Sequence, residues 1–129
     1  MRISELATAT QTSVKTIRYY EQVGLITKAT RSENGYRQYS DKDTKTLIFI
    51  RRCRALNMAI SDIKQLLLLQ QNPAASCEAV DSMVKKQLDD IRQQQKELAL
   101  LENTLSSLAA SCANQKIEDC CILSQLQAN

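Results

Sequence analysis

Five cysteines stand in a chain of 129 residues that contains no histidine. Three of them fall within the stretch SCANQKIEDCCIL: Cys112, Cys120 and Cys121. Cys77 lies upstream, and Cys53 lies further upstream still. Thiolates are soft ligands that select soft or borderline metal ions. Cys112 and Cys120 are separated by a polar segment able to loop, which could bring both sulfurs to one ion. Two donors are too few for most divalent sites. Without histidine, the others must be cysteine, carboxylate or water, and Cys77 is the obvious third. Cys53, between two arginines on a helical pattern, is expected to pack as a small hydrophobe. Cys121 adjoins Cys120, but successive residues do not share a helix face, so it reads as a spare thiol. Exposed thiols near charge also allow a redox switch. No paired catalytic carboxylates, nucleophile–base arrangement or phosphate loop is present, so an enzyme is not expected.

Composition sets the setting for these thiols. With 2 Gly and 1 Pro, breakers are scarce and a mostly helical protein is expected. The polar, periodic start MRISELATAT argues against a secretory signal, and no apolar run approaches the ~20 residues of a membrane helix. A cytoplasmic, reducing location is expected, where cysteines serve as free thiols or metal ligands rather than disulfides. Charge is uneven. Residues 1–56 carry 11 Lys and Arg against 5 Asp and Glu, whereas residues 57–129 carry 6 against 9. A basic front half points to an anionic polymer.

Five helices and a hairpin would position these groups. ISELATATQTSVKTIRYYEQVGL reads as two short helices about a tight turn, the first capped by Ser4, the second by Ser13 and stopped at Gly24; that is a helix-turn-helix candidate. Asn34-Gly35 signals a two-residue hairpin turn. Its basic, aromatic flanks (Arg31, Tyr36, Arg37, Tyr39) suit a wing that holds phosphates. Ser40 caps a third helix, with arginines near its C-terminal end, and Ser61 a fourth that stops before Pro73. From Cys77 to about Ala109, Val80, Val84, Leu88, Ile91, Leu98, Leu101, Leu105 and Leu108 form a narrow apolar seam, interrupted at Gln94 and Gln95. A helix with such a stripe needs a partner, most simply a second copy. At 1.5 Å per residue, ~32 residues hold Cys77 and Cys112 of one chain tens of ångströms apart. Antiparallel pairing would bring Cys77 of one subunit beside Cys112 and Cys120 of the other, giving two sites per dimer.

TIRYYEQVGLI, RSENGYRQYS and FIRRCRAL, in this order and spacing, resemble the N-terminal winged-helix signature of the MerR family of metal-responsive transcription regulators. The long helix and terminal cysteine loop resemble that family's dimerisation helix and metal-binding loop. The resemblance implies a mainly α fold. Residues 1–70 would form a winged helix-turn-helix DNA-binding domain, 71–109 an antiparallel coiled-coil dimerisation helix, and 110–129 a metal-binding loop with a short C-terminal helix. It implies a homodimer on a promoter palindrome, which on binding metal bends and untwists an overlong spacer so that RNA polymerase can align both promoter elements. Carried onto this chain, the recognition helix is Ser13 to Val23 with Lys15, Thr16, Arg18 and Tyr19 facing double-stranded DNA; Arg31, Tyr36 and Arg37 hold phosphates and Arg54 assists.

Family members that sense monovalent copper, silver or gold replace the cysteine at the start of the dimer helix with serine; members that sense divalent ions keep it. Cys77 therefore resembles the divalent branch. Zinc sensors add a loop histidine, absent here. An all-thiolate, three-coordinate site suits Hg(II), Pb(II) or Cd(II) better than Zn(II), and the residues around Cys77 and Cys120 are most similar to the cadmium- and lead-responsive members. Two departures leave alternatives open. The eight-residue Cys112–Cys120 step equals that of copper sensors. Cys121 stands where a small residue is usual, and as a fourth ligand it would favour Cd(II) or Zn(II).

Overall fold

The structure, a computed structural model, describes residues 1–28, 30, 31, 35, 37–111 and 116–128, with the backbone alone at 30, 31 and 37. Six α-helices dominate: α1 (Ile3–Thr10), α2 (Val14–Gln22), α3 (Asp41–Ala55), α4 (Ile60–Gln70), α5 (Glu78–Ala110) and α6 (Cys121–Gln127). Two-residue strands β1 (Thr30–Arg31) and β2 (Arg37–Gln38) lie between α2 and α3, and a 3₁₀ turn (Ile117–Asp119) precedes α6. Two compact units result, Met1–Met83 and Val84–Asn129.

The first unit is built on one core. Leu6 of α1, Ile17 of α2, Leu47 and Ile50 of α3 and Ile63 of α4 are fully buried. With Thr10, Tyr20, Glu21, Cys53 and Leu66, also buried, they recur at helical spacing within each helix, and Met83 packs against the core from the first turns of α5. Local signals fix where the helices begin. Ser13 caps α2 by accepting the backbone N–H of Thr16 at 3.1 Å. Ser40 starts α3 in a capping box, where the Asp43 carboxylate accepts from the Ser40 N–H at 2.8 Å. Gly24, with φ +78°, turns the chain out of α2 as expected. The expected caps at Ser4 and Ser61 are corrected. Arg2 and Ala59 occupy the cap positions, neither capping the helix with its side chain, and both serines lie inside their helices. Ile3 and Ile60 pack on the core, and this packing draws each helix start ahead of the serine.

The expected hairpin is present. Thr30 pairs with Gln38 and Arg31 with Arg37 in an antiparallel ladder, and the turn expected at Asn34-Gly35 falls largely outside the described residues. Gly35 does take positive φ, +80°, while Asn34 lies outside the described residues. The chain leaving β2 is tied down twice: Tyr39 N–H donates to the Met1 carbonyl at 2.9 Å, and its buried hydroxyl donates to the buried Glu21 carboxylate of α2.

The second unit carries most of α5, then the 3₁₀ turn and α6. At 33 residues, α5 is about 50 Å long. No residue of α5 is buried. Val84, Ile91, Leu98 and Leu105 repeat every seventh position, and Cys77 lies one such step earlier in the sequence. Leu98 and Leu105 are 64% and 66% exposed, so the seam is uncovered in a single chain.

Candidate functional site

Helix α2 is divided along its length. Ile17, Tyr20 and Glu21 are buried, which turns the intervening positions outward. Lys15 and Arg18 are exposed, Thr16 is half-buried, and Tyr19 is 49% exposed. These four were the residues expected to face DNA. Thr16 is held by its place in the cap, its hydroxyl 2.7 Å from that of Ser13. Tyr19 and Tyr20 lean together, ring centroids 6.0 Å apart. The short α1 sets α2's angle through Leu6 and Thr10, whose buried hydroxyl bonds the Leu6 carbonyl at 2.8 Å. Gln11, in the left-handed region at φ 54°, makes the turn between the two helices. An outward face of two cations, a hydroxyl and a phenol on a helix seated by its neighbour can enter a major groove.

Of the wing residues, the backbones of Arg31 and Arg37 stand directly opposite each other across the ladder; Tyr36 and the side chains of Arg31 and Arg37 lie outside the described residues. Arg54 has a duty that spacing did not reveal. Its Nη1 donates to the Met58 carbonyl at 2.7 Å, bracing the α3–α4 turn, where Asn57 adopts φ 60°.

The thiols separate by environment. Cys53 is buried in the core, and burial pushes its thiol pKa up from the ordinary 9.0; it is a packing residue, as expected. Cys77 is exposed at the foot of α5, where its carbonyl accepts the Asp81 N–H at 2.9 Å. Cys120 is half-buried between the 3₁₀ turn and α6, its carbonyl accepting the Ser124 N–H at 3.1 Å. Cys121, also half-buried, is the first residue of α6. The extended backbone of Cys120, φ −71° and ψ 113°, separates the two neighbours as they enter the helix. Cys112 lies outside the described residues. Among the described residues, no three Cys, Asp or Glu are gathered into a metal-binding group within one chain, and the described thiols fall at the two limits of α5 and beyond. The donor set itself, thiols without any histidine, fits a soft ion.

The MerR HTH regulatory protein family matches residues 1–70, and the MerR DNA-binding family matches residues 44–108. The transcription regulator PbrR691 of Ralstonia metallidurans CH34, solved in complex with lead(II), superimposes with a TM-score of 0.87 at 39% identity, covering 98% of each chain. Heavy metal-dependent transcription regulator 2 of Rhizobium meliloti is 34% identical over 126 residues, 98% of this chain and 86% of that protein. The transcriptional regulator CueR of Vibrio cholerae is 33% identical over all 129 residues and 93% of its own length. With its helix-turn-helix, hairpin and long helix in the family's order, the chain belongs to the MerR family of helix-turn-helix regulatory proteins.

Proposed function

We propose that this chain is a metal-responsive transcriptional regulator that binds a promoter palindrome as a homodimer and activates transcription by distorting DNA when a soft divalent metal is bound, Cd(II) or Pb(II) foremost. The observation that carries this reading is Cys77 at the foot of α5, in phase with an uncovered apolar seam. Such a seam is covered most simply by a second copy. Antiparallel pairing places Cys77 of the partner subunit beside Cys112 and Cys120. The lead(II) complex of a relative at 39% identity supports the choice of ion. The ion, when bound, supplies a crosslink between subunits that thiolates alone cannot make. Residues 1–70 then act as the DNA-binding domain, 71–109 as the dimerisation helix and 110–129 as the metal loop.

In this reading Lys15, Thr16, Arg18 and Tyr19 contact the major groove, Arg31, Tyr36 and Arg37 hold phosphates, and Arg54, which also braces the α3–α4 turn, assists them. Contacts to phosphate set register, and the cost of untwisting the spacer is met by protein–DNA contacts. Metal shifts the population between two arrangements of the DNA-binding domains, and RNA polymerase reads the result. The deciding experiment is a promoter–reporter panel with Cd, Pb, Hg, Zn and Cu salts, repeated with Cys77→Ser. Loss of the Cd or Pb response in the variant is expected; an unchanged response would sink the shared site. A second reading, a monovalent copper-type sensor, is favoured by the eight-residue Cys112–Cys120 step and the likeness to CueR. It predicts induction by Cu or Ag that survives Cys77→Ser.

A further inference from the structure

A groove in the first unit plays no part in the readings above. It has a volume of about 1030 Å³ and runs between α3, α4 and the chain that leaves α2. Its floor is apolar, with Leu25 buried, Phe49 and Leu67 half-buried and Leu68 58% exposed. Its rim holds Lys28, Lys42, Lys45, Arg52 and Lys64, all exposed. The two carboxylates in the lining do not balance them. Glu21 is buried and accepts from the Tyr39 hydroxyl, and Asp43 is engaged in the Ser40 capping box. Five cations against two carboxylates leave the groove with net positive charge around an apolar trough.

We infer that this groove docks an acidic amphipathic helix of a partner protein. Shape separates this occupant from DNA. A duplex takes a protruding helix or ribbon into its own grooves, whereas a recess with an apolar floor takes up a protruding partner, apolar face down. The volume is comparable with about two turns of a helix roughly 10–12 Å wide. Lysines at the rim steer an acidic segment and set its orientation, while the floor supplies the contact. None of the five cations belongs to the set assigned to DNA.

The test uses the full-length chain and a labelled 18-residue helical peptide with leucines at i, i+3, i+4 and i+7 and glutamates elsewhere, followed by fluorescence anisotropy and amide NMR. Saturable binding is expected, weakening with salt, with shifts centred on Phe49, Lys64 and Leu67. Lys45→Glu with Lys64→Glu should weaken binding at least tenfold, and Lys45→Gln with Lys64→Gln should weaken it less. Lys15→Glu with Arg18→Glu, on α2, should leave it unchanged. Thermal melts establish that each variant is folded. The proposal is overturned by equal binding of a lysine-for-glutamate control peptide, or by shifts confined to α2. It is equally overturned if duplex DNA rather than peptide protects Lys45 and Lys64 from amine labelling, or if the groove variants become monomeric, which would make the groove a subunit interface.

Discussion

At the scale of single residues, environment decides which of the like side chains has a function. Cys53 and Cys77 are both thiols on or beside helices, yet one is in the core and the other is exposed. Cys77→Ser and Cys120→Ser should each reduce metal induction by more than tenfold in a reporter assay while leaving operator affinity within about threefold, since a serine keeps the backbone bonds but is a poor soft-metal ligand. Cys53→Ser should leave induction alone and lower the melting temperature, because it buries a hydroxyl at a cost of about 1–3 kcal/mol. The raised Cys53 pKa also has a sign. The folded state favours the neutral thiol, so its contribution is complete below the unfolded pKa and is lost as pH rises through the folded value; alkaline melts of wild type should fall more steeply than those of Cys53→Ala. Arg18→Ala should weaken operator binding and reduce the slope of log affinity against log salt by about 1 if the guanidinium holds a phosphate.

At the scale of elements, the sequence was most legible where a side chain acts on its own backbone. Ser13 and Ser40 cap their helices as read, and Gly24 ends α2, because each signal is complete within four residues. Ser4 and Ser61 misled because Ile3 and Ile60 had core contacts to make, and apolar phase outweighed a hydroxyl that could equally face solvent. The hairpin itself was legible from Asn-Gly, and the bonds of Tyr39 to Met1 and Glu21 that tie down its second strand were not, because they join residues far apart in the sequence. Arg54 could not have been separated from its neighbouring arginines by spacing, since its partner is the Met58 carbonyl across a turn. In the set proposed to face DNA, α2's inward and outward faces followed directly from the 3.6-residue period. The seam of α5 carries its own test. If the seam pairs two copies as proposed, Leu98→Glu should yield a monomer in sedimentation velocity without unfolding the first unit, because Leu98 is an exposed seam position of the second.

At the scale of the molecule, the proposed metal site draws on two subunits, and the sequence alone could show its thiols only as separate groups, Cys77 upstream and Cys112 and Cys120 downstream. The same reasoning extends to the output. With a fluorophore pair at the ends of an operator duplex, Cd(II) or Pb(II) should change energy transfer in the bound complex and should not do so with Cys77→Ser, while occupancy stays constant. A change in occupancy alone would mean recruitment rather than distortion. The seven-residue repeat through α5 also constrains how this protein can change length. Cys77, Val84, Ile91, Leu98 and Leu105 stand at equal steps, and Cys112 takes the next one. A single inserted residue would rotate everything after it by about 100°, carrying the downstream leucines off the seam while leaving the upstream positions in place. A whole inserted heptad would nearly restore the face, with a drift of only ~20°. The long helix thus works as a ruler with a fixed unit, and viable insertions or deletions within it should come in sevens.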